Sequence, residues 1–320
     1  MRPIDLLNRV LHRNAGVAGK VVLITGAARG IGAGVARRLA EQGATVALVG
    51  LEGEQLRAVA ADCGPDATAW EADVTDWEQL HRAVTGVVAR YGRIDVLMAN
   101  AGIAAAGFIR SIDPDAFEKV IEVDLLGVWR TVRTCLPYLI ESRGYCLVVS
   151  SMAAIMHIPG NAPYNAAKAG VEAFANTLRA ETRHLGLAVG VAHPTWINTD
   201  MVASADEHPV FGALRKKMPG PIAKTYPLSV AVDAFTAGIN RRARAIHIPA
   251  SMLITKLIRA ILPPVVELGA ARLVPAADKA ALADVAARGA AASAPVGPGG
   301  AAATRAAVPG ASRRSSDTPD

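Results

Sequence analysis

Cysteine is scarce in this chain: three residues, Cys63, Cys135 and Cys146, among 320. They are too few and too scattered for a disulfide framework, and a reducing, cytoplasmic setting is expected. Aromatic residues make up only 4%, and no basic run is interleaved with them. That argues against nucleic acid as a partner. No uninterrupted apolar run approaches the ~20 residues of a membrane span. The most apolar region, 245–268, is broken by Lys256, Arg259 and the Pro263–Pro264 pair, so no transmembrane helix is expected. The opening stretch "MRPIDLLNRVLHRNAG" carries charges throughout and reads as no secretory signal. No metal site is expected.

What is present is apolar bulk. Hydrophobic residues make up 52% of the chain, enough for a sizeable core in one large domain or two small ones. A formal charge of +6 and a pI of about 9.4 permit contact with an anionic surface. From residue 20 onward, short β-branched runs alternate with helical patterns. "KVVLIT" (20–25), "ATVALVG" (44–50), "ATAWEAD" (67–73), "IDVLMAN" (94–100), "YCLVVS" (145–150) and "LAVGVAH" (187–193) read as strands, with "AIHIPA" (245–250) as a seventh. Helices are expected between them, at 30–43, 52–64, 76–92, 113–142 and 163–186. Nearly all-apolar strands in this alternation imply an α/β, doubly wound parallel sheet of six to seven strands with helices on both faces. Ligands of such sheets bind beyond the carboxyl ends of the strands.

Two motifs sit there. "TGAARGIG" (25–32) follows the first strand and opens the first helix, with Gly26, Gly30 and Gly32 in Gly-x-x-x-Gly-x-Gly spacing. Glycines let the backbone turn sharply, and a helix N-terminus suits a pyrophosphate. "PYNAAKAG" (163–170) puts Tyr164 and Lys168 four apart, on one helix face. Alone, that pair is an ordinary helix start. Beside a dinucleotide loop it acquires a chemical reading: a phenol of pKa about 10 brought within use at neutral pH by a nearby ammonium.

Together these residues resemble the short-chain dehydrogenase/reductase family in its single-domain Rossmann form, over about residues 18–250. Thr25, Gly26, Arg29, Gly30, Ile31 and Gly32 lie in the family's TGxxxGIG loop. Asp73–Val74 matches the acidic residue that holds the adenine, and Asn100–Ala101–Gly102 the NAG after the fourth strand. Ser151, thirteen residues before Tyr164, matches the catalytic serine, and Tyr164 and Lys168 match YxxxK. "HPTWINT" (193–199) resembles the segment where Thr199 would hold the nicotinamide amide. The resemblance implies an NAD(P)-dependent oxidoreductase that transfers hydride between nicotinamide and a secondary alcohol or ketone. Tyr164 would be the acid/base, with Ser151 on the reacting oxygen and Lys168 on the phenol and ribose.

Three positions depart from that pattern. Asp124 stands where the family has an asparagine holding a water beside the lysine, and it either faces Lys168 through water or pairs with it directly. Thr195 replaces the usual glycine after Pro194. The end of the second strand reads "VALVGLEGEQL", with Gly50 and Leu51 where an acid (for NAD) or an arginine (for NADP) would stand. Glu52 is two residues late, and Arg29 can meet a 2′-phosphate, so the balance leans to NADP. A dinucleotide-binding sensor or scaffold with weak turnover is the alternative, for which Asp124 is the only feature.

The region after Thr199 reads as a lid with apolar contacts, and a lipophilic small-molecule substrate is expected. The flanks divide into an amphipathic extension (1–18), the dehydrogenase domain (19–250), a C-terminal helical extension (251–287) and an Ala/Gly/Pro-rich tail (288–320) read as disordered. In "SMLITKLIRAIL" (251–262), Leu253, Ile254, Leu257, Ile258 and Ile261 form one stripe, with Arg241, Arg242 and Arg244 before it. The stripe either packs on the core or a neighbouring subunit, or lies on a membrane surface. Small residues along 163–184 permit close helix approach, and a homodimer or homotetramer is expected.

Overall fold

Val22 and Ile24 point to one side of the first strand while Val21 and Leu23 point to the other, and all four are buried. A strand buried on both faces has no polar side to show, which is why its sequence is apolar without alternation. The computed structural model describes residues 16–306. The expected amphipathic helix at 1–18 lies almost wholly outside the described residues.

The strands are β1 (Val21–Thr25), β2 (Thr45–Gly50), β3 (Thr68–Glu71), β4 (Val96–Ala99), β5 (Tyr145–Val149), β6 (Ala188–Pro194) and β7 (Ala245–Ile248). They form one sheet in the order β3-β2-β1-β4-β5-β6-β7, and every pairing is parallel. Leu23 sits between Ala47 on one side and Leu97 on the other, which fixes the register at the centre. One face is covered by α1 (Gly30–Glu41) and α2 (Gly53–Cys63). The other is covered by α3 (Trp77–Tyr91), α5 (Val128–Glu141) and α6 (Ala162–Thr182), with α4 (Pro114–Ile121) packed against α6. The chain runs outward from β1 to β3 and then returns to β4 on the other side of β1. The loops after β1 and β4 therefore diverge and leave a crevice at the carboxyl ends of the strands.

Local chemistry sets the helix ends. The Asp76 side chain accepts from the N–H groups of Glu78 and Gln79 at 2.8 and 3.0 Å to start α3, and Gly92, with φ of 75°, closes it. Asp113 caps α4 with Pro114 in the first turn. The helix expected over 113–142 is continuous but contains a π-helical turn, Glu122–Gly127, between α4 and α5. Such turns frequently mark functional sites, and this one carries Asp124.

After β6 the chain forms α7 (Asp200–Glu207), α8 (Pro209–Lys216), the short α9 (Gly220–Ala223) and α10 (Leu228–Asn240), the last covering the face of α1. Beyond β7 come α11 (Met252–Leu257) and the long α12 (Leu262–Arg288). Leu253, Ile254, Leu257, Ile258, Ile261, Val265 and Leu268 are all exposed, by 43 to 76%, so the stripe does not pack inward. The basic cluster, however, is not beside it. Arg241, Arg242 and Arg244 lie at the amino end of β7, and α11 starts from its carboxyl end, about 13 Å away at strand rise. The helical run Arg259–Ser293, with a hydropathy of 1.4 in its most apolar window, is long and apolar enough to cross a membrane by length and composition. That departs from the sequence expectation, because its apolarity comes from alanine, valine and leucine beyond the prolines. Its Leu273, Val274, Ala277 and Ala281 pack against Phe108 and Leu214 of the body.

The tail also departs from expectation as far as residue 306, and 307–320 lie outside the described residues. Residues 289–293 form a 3-10 turn and α13 spans Gly297–Arg305. Composition counted bulk and missed that alanines and glycines can lie close in a narrow groove. The Ala292 carbonyl is 2.9 Å from His208 Nε2, and the Ser293 hydroxyl accepts from the Asp113 N–H at 3.2 Å.

All three cysteines are free thiols. Cys135 and Cys146 are fully buried in the sheet–helix core. Burial pushes the Cys146 thiol up to about 12 and that of half-buried Cys63 to about 11.

Candidate active site

The crevice holds one cleft, about 260 Å³, lined from the loops after β1, β2, β3, β4, β5 and β6. At its floor, β1 and β4 are lashed together. The Thr25 hydroxyl accepts from the N–H groups of Asn100 and Ala101 at 3.0 and 3.1 Å. The Asn100 amide donates to the carbonyls of Thr25 and Gly26 at 3.0 and 3.2 Å. Thr25 and Gly32 are buried behind the wall and do not line the cleft. The other expected positions do: Gly26, Arg29, Gly30, Ile31, Asp73, Val74, Asn100, Ala101, Gly102, Asp124, Ser151, Tyr164, Lys168 and Thr199.

Glycine is required in the loop after β1. Gly26 has φ of +64°, and a Cβ on it would sit 2.8 Å from the Ala101 Cα. A Cβ on Gly32 would lie 2.4 Å from the Gly26 carbonyl oxygen. Helix α1 has neither a side-chain cap nor an acidic residue in its first turn. Its first N–H groups therefore face the cleft unsatisfied, with the positive end of the helix dipole behind them, and that suits an anionic group. Asp73 is turned to its own loop, accepting from the N–H and hydroxyl of Thr75, both at 2.8 Å.

Arg29 does not stand free for a phosphate. Its Nε donates to Glu52 at 3.0 Å and its second guanidinium nitrogen binds the same carboxylate. Its remaining nitrogen donates to Asp200 at 3.0 Å. Two carboxylates already match this guanidinium. Asp200 carried no signal in the sequence, because its partner is distant along the chain.

On the far side, Pro163 opens α6, which carries Tyr164 and Lys168. Lys168 Nζ lies 5.4 Å from the Tyr164 ring centroid and 3.0 Å from Asp124 Oδ2, and donates to the Val149 carbonyl at 3.3 Å. Asp124 thus pairs with Lys168 directly. Its other oxygen accepts from the Ile103 N–H at 2.7 Å. The two side chains are buried, and burial opposes the charge on both. It pushes the Asp124 carboxyl above its usual range despite Lys168, while on Lys168 burial is the largest single influence but Asp124 and Tyr164 together overcome it and hold the ammonium above its usual value. Gly102 makes room for the pair: a Cβ there would be 3.0 Å from Asp124 Oδ2 and 3.2 Å from Lys168 Nζ.

Burial raises the Tyr164 phenol, Lys168 draws it back down, Asp124 raises it again, and Ser151 lowers it by hydrogen bonding. The net position is above that of a free tyrosine. Ser151 caps the short turn after β5, accepting from the Ala153 N–H at 3.2 Å. Ser150 points away, to the Lys168 carbonyl at 2.8 Å. Thr199 stands just before α7 without capping it, its hydroxyl donating to the Ile197 carbonyl at 3.2 Å. Part of the lining is apolar: Met152, Ile158, Trp196, Met201, Val202 and Phe211. The segment Val296–Gly300, with Ala302 and Ala303, adds a wall that sequence reasoning missed. Asn161 lines the cleft, whereas His157 is exposed and His193 lies buried outside it.

Residues 20–209 match the family model described as short chain dehydrogenase. The chain belongs to this family. As a short-chain dehydrogenase it is an oxidoreductase, and the Rossmann-type parallel sheet is the family's fold. It is 35% identical over 215 residues to (−)-trans-carveol dehydrogenase of Rhodococcus erythropolis, covering 62% of this chain and 78% of the relative. It is 35% identical over 206 residues to trans-4-hydroxycyclohexanecarboxylate dehydrogenase of Sinomonas cyclohexanicum, again covering 62% and 78%. Among solved structures, 3-ketoacyl-(acyl-carrier-protein) reductase from Brucella melitensis complexed with NADH superposes with a TM-score of 0.64 at 25% identity. That match covers 72% of this short-chain dehydrogenase and 97% of the other chain.

Proposed function

We propose that this protein interconverts a lipophilic secondary alcohol and its ketone with a nicotinamide dinucleotide, and that Tyr164 moves the proton. The observation that carries this is the meeting of Tyr164, Ser151 and the buried Lys168–Asp124 pair in the same cleft as an uncapped, glycine-opened helix. The dinucleotide, when bound, accepts or donates the hydride. The free N–H groups of α1 suit its pyrophosphate, and Lys168 and Thr199 lie toward the end where hydride moves.

The chain's own residues do the rest. Tyr164 gives its proton to the carbonyl oxygen in reduction and takes it from the alcohol in oxidation. The Ser151 hydroxyl donates to the same oxygen and fixes the carbonyl against Tyr164. Lys168 stabilises the phenolate by charge at short range. Met152, Ile158, Trp196 and Phe211 exclude water and favour an apolar substrate. Relatives named for alcohol substrates support this class. With Arg29 taken by Glu52 and Asp200, NAD fits the adenosine end better than NADP.

A panel of ketones and alcohols assayed with NAD(H) and NADP(H) tests the reading. Turnover of ring-bearing or long-chain substrates with NAD(H) is expected, and no turnover across the panel would overturn it. A dinucleotide-binding sensor is the second reading. The Asp124–Lys168 pair favours it, since that carboxylate offsets the field of Lys168 at Tyr164. Dinucleotide binding without turnover in the same panel would select it.

A further inference from the structure

The segment that closes the cleft is the least expected part of the molecule. We propose that α13 is an intrasteric strap, lying where the adenosine half of the dinucleotide must go, so that the cofactor binds only when the strap leaves. This rests on the cofactor reading above.

The sheet order locates the adenosine. Tyr164 and Lys168 stand on the β5–β6 side of the switch point and the uncapped N-terminus of α1 stands at it. A dinucleotide with its pyrophosphate on α1 and its nicotinamide toward Tyr164 therefore carries its adenosine toward the ends of β2 and β3. Those ends are Gly50, Leu51, Asp73 and Val74, all lining the cleft. The tail enters the same space. Its Val296 N–H donates to the Ala104 carbonyl at 2.8 Å, just after the loop that follows β4. Gly297, at φ of +76°, turns against α7, where a Cβ would lie 3.4 Å from the Asp200 carbonyl oxygen. Gly300 and Ala302 are buried, and Ala303, 2% exposed, belongs to the apolar cluster of Val74, Ile103 and Val123. The strap thus walls the cleft beside the residues that the adenosine would touch, and Ala303 shares an apolar cluster with Val74 there.

The strap is built to leave. All of its nine residues but Thr304 and Arg305 are glycine, alanine or proline, which bury little apolar surface, and helices under about 12 residues are marginal alone. A segment so held opens locally without disturbing the core. Its docked fraction sets the penalty on cofactor affinity: a strap docked nine-tenths of the time weakens apparent binding about tenfold.

The test uses the full chain. Two variants dislodge the strap by different chemistry. Ala303→Glu puts a charge in a buried alanine position, and Gly300→Val places a side chain where even a Cβ would meet the Pro295 carbonyl oxygen at 2.6 Å. Titration with NADH, followed by its fluorescence, is expected to give a dissociation constant about tenfold lower in both variants. Saturating NADH is expected to speed amide hydrogen exchange in residues 297–305 of the unaltered protein. Unchanged or weaker binding in both variants, or NADH protection of those amides, would make α13 a cover over bound cofactor and overturn the proposal. Failure of NADH and NADPH to bind any of the three proteins would instead sink the cofactor reading, and the strap with it.

Discussion

Lys168 and Asp124 meet at 3.0 Å with almost no solvent between them and the core. Buried ion pairs are poor stabilisers, since desolvation cancels much of the attraction, so the place of this pair beside Tyr164 matters more than its energy. Replacing Tyr164 with Phe removes the hydroxyl and keeps the ring. Turnover should fall about 10²–10⁴-fold with NADH binding little changed, as steady-state rates and a binding titration on one preparation would report. Asp124→Asn keeps an acceptor for the Ile103 N–H and deletes the negative charge that raises the Tyr164 phenol. The rise of alcohol oxidation with pH should then move to lower pH. A shift upward, or none, would mean that the buried lysine had shed its proton once its partner was gone. The site was legible where spacing along one helix or one turn sets geometry, as for Tyr164 and Lys168. It was illegible where partners are remote: Arg29 looked free because Asp200 is 171 positions away.

At the scale of elements, one buried carboxylate ties the C-terminal extension to α6. Glu172 of α6 meets Lys256 at 2.7 Å, Arg259 at 3.3 Å and His193 of β6 at 3.3 Å. His247 of β7 stacks on His193 with centroids 5.2 Å apart. Burial opposes the Glu172 charge, but His193 and Lys256 prevail and hold its carboxyl down at about 2. Burial, His193 and Lys256 together push His247 down to about 4 from 6.5. The signs differ in window but agree in direction. Below 6.5 the unfolded chain protonates His247 while the folded one does not, so stability falls as pH drops toward 4. Glu172 contributes stability above about 4.5, and that is lost as pH falls through about 2. Melting temperature should therefore decline from pH 6.5 downward. His247→Gln should flatten the upper part of that decline, and an unchanged profile would remove His247 from the account. None of this was visible in the sequence, where Glu172 is one more polar residue on an alanine-rich helix.

Across the whole molecule, two surfaces remain open among the described residues. Ala166 and Ala173 on the outer face of α6 are exposed, and so is Trp129 of α5. Small residues there permit close helix approach, and light scattering at micromolar concentration should give a dimer or tetramer; a monomer would count against it. The stripe from Leu253 to Leu268 is the larger apolar surface, well beyond the scattered exposure of ordinary monomers. Arg259 lies within its span and exposed Arg272 just beyond it. Co-sedimentation with anionic vesicles is expected, falling when Leu257 and Ile258 are both changed to Ser, and indifference to vesicles at low salt would assign the stripe to protein contact. Sheet order and helix placement were readable because strands buried on both faces announce themselves in unbroken apolar runs. The tail was not, because alanine and glycine give no pattern to read and their packing depends on a groove made by residues hundreds of positions earlier.

The thiols described in the core have a practical consequence. Cys135 and Cys146 are sealed from solvent and Cys63 ionises only near pH 11, so at neutral pH the native protein offers alkylating reagents almost no thiolate. A single cysteine introduced on the exposed side of α13, for instance Ala301→Cys, would be the one reactive handle on the molecule. A dye attached there would read strap position directly in a mixed sample, with no need to strip the native cysteines first.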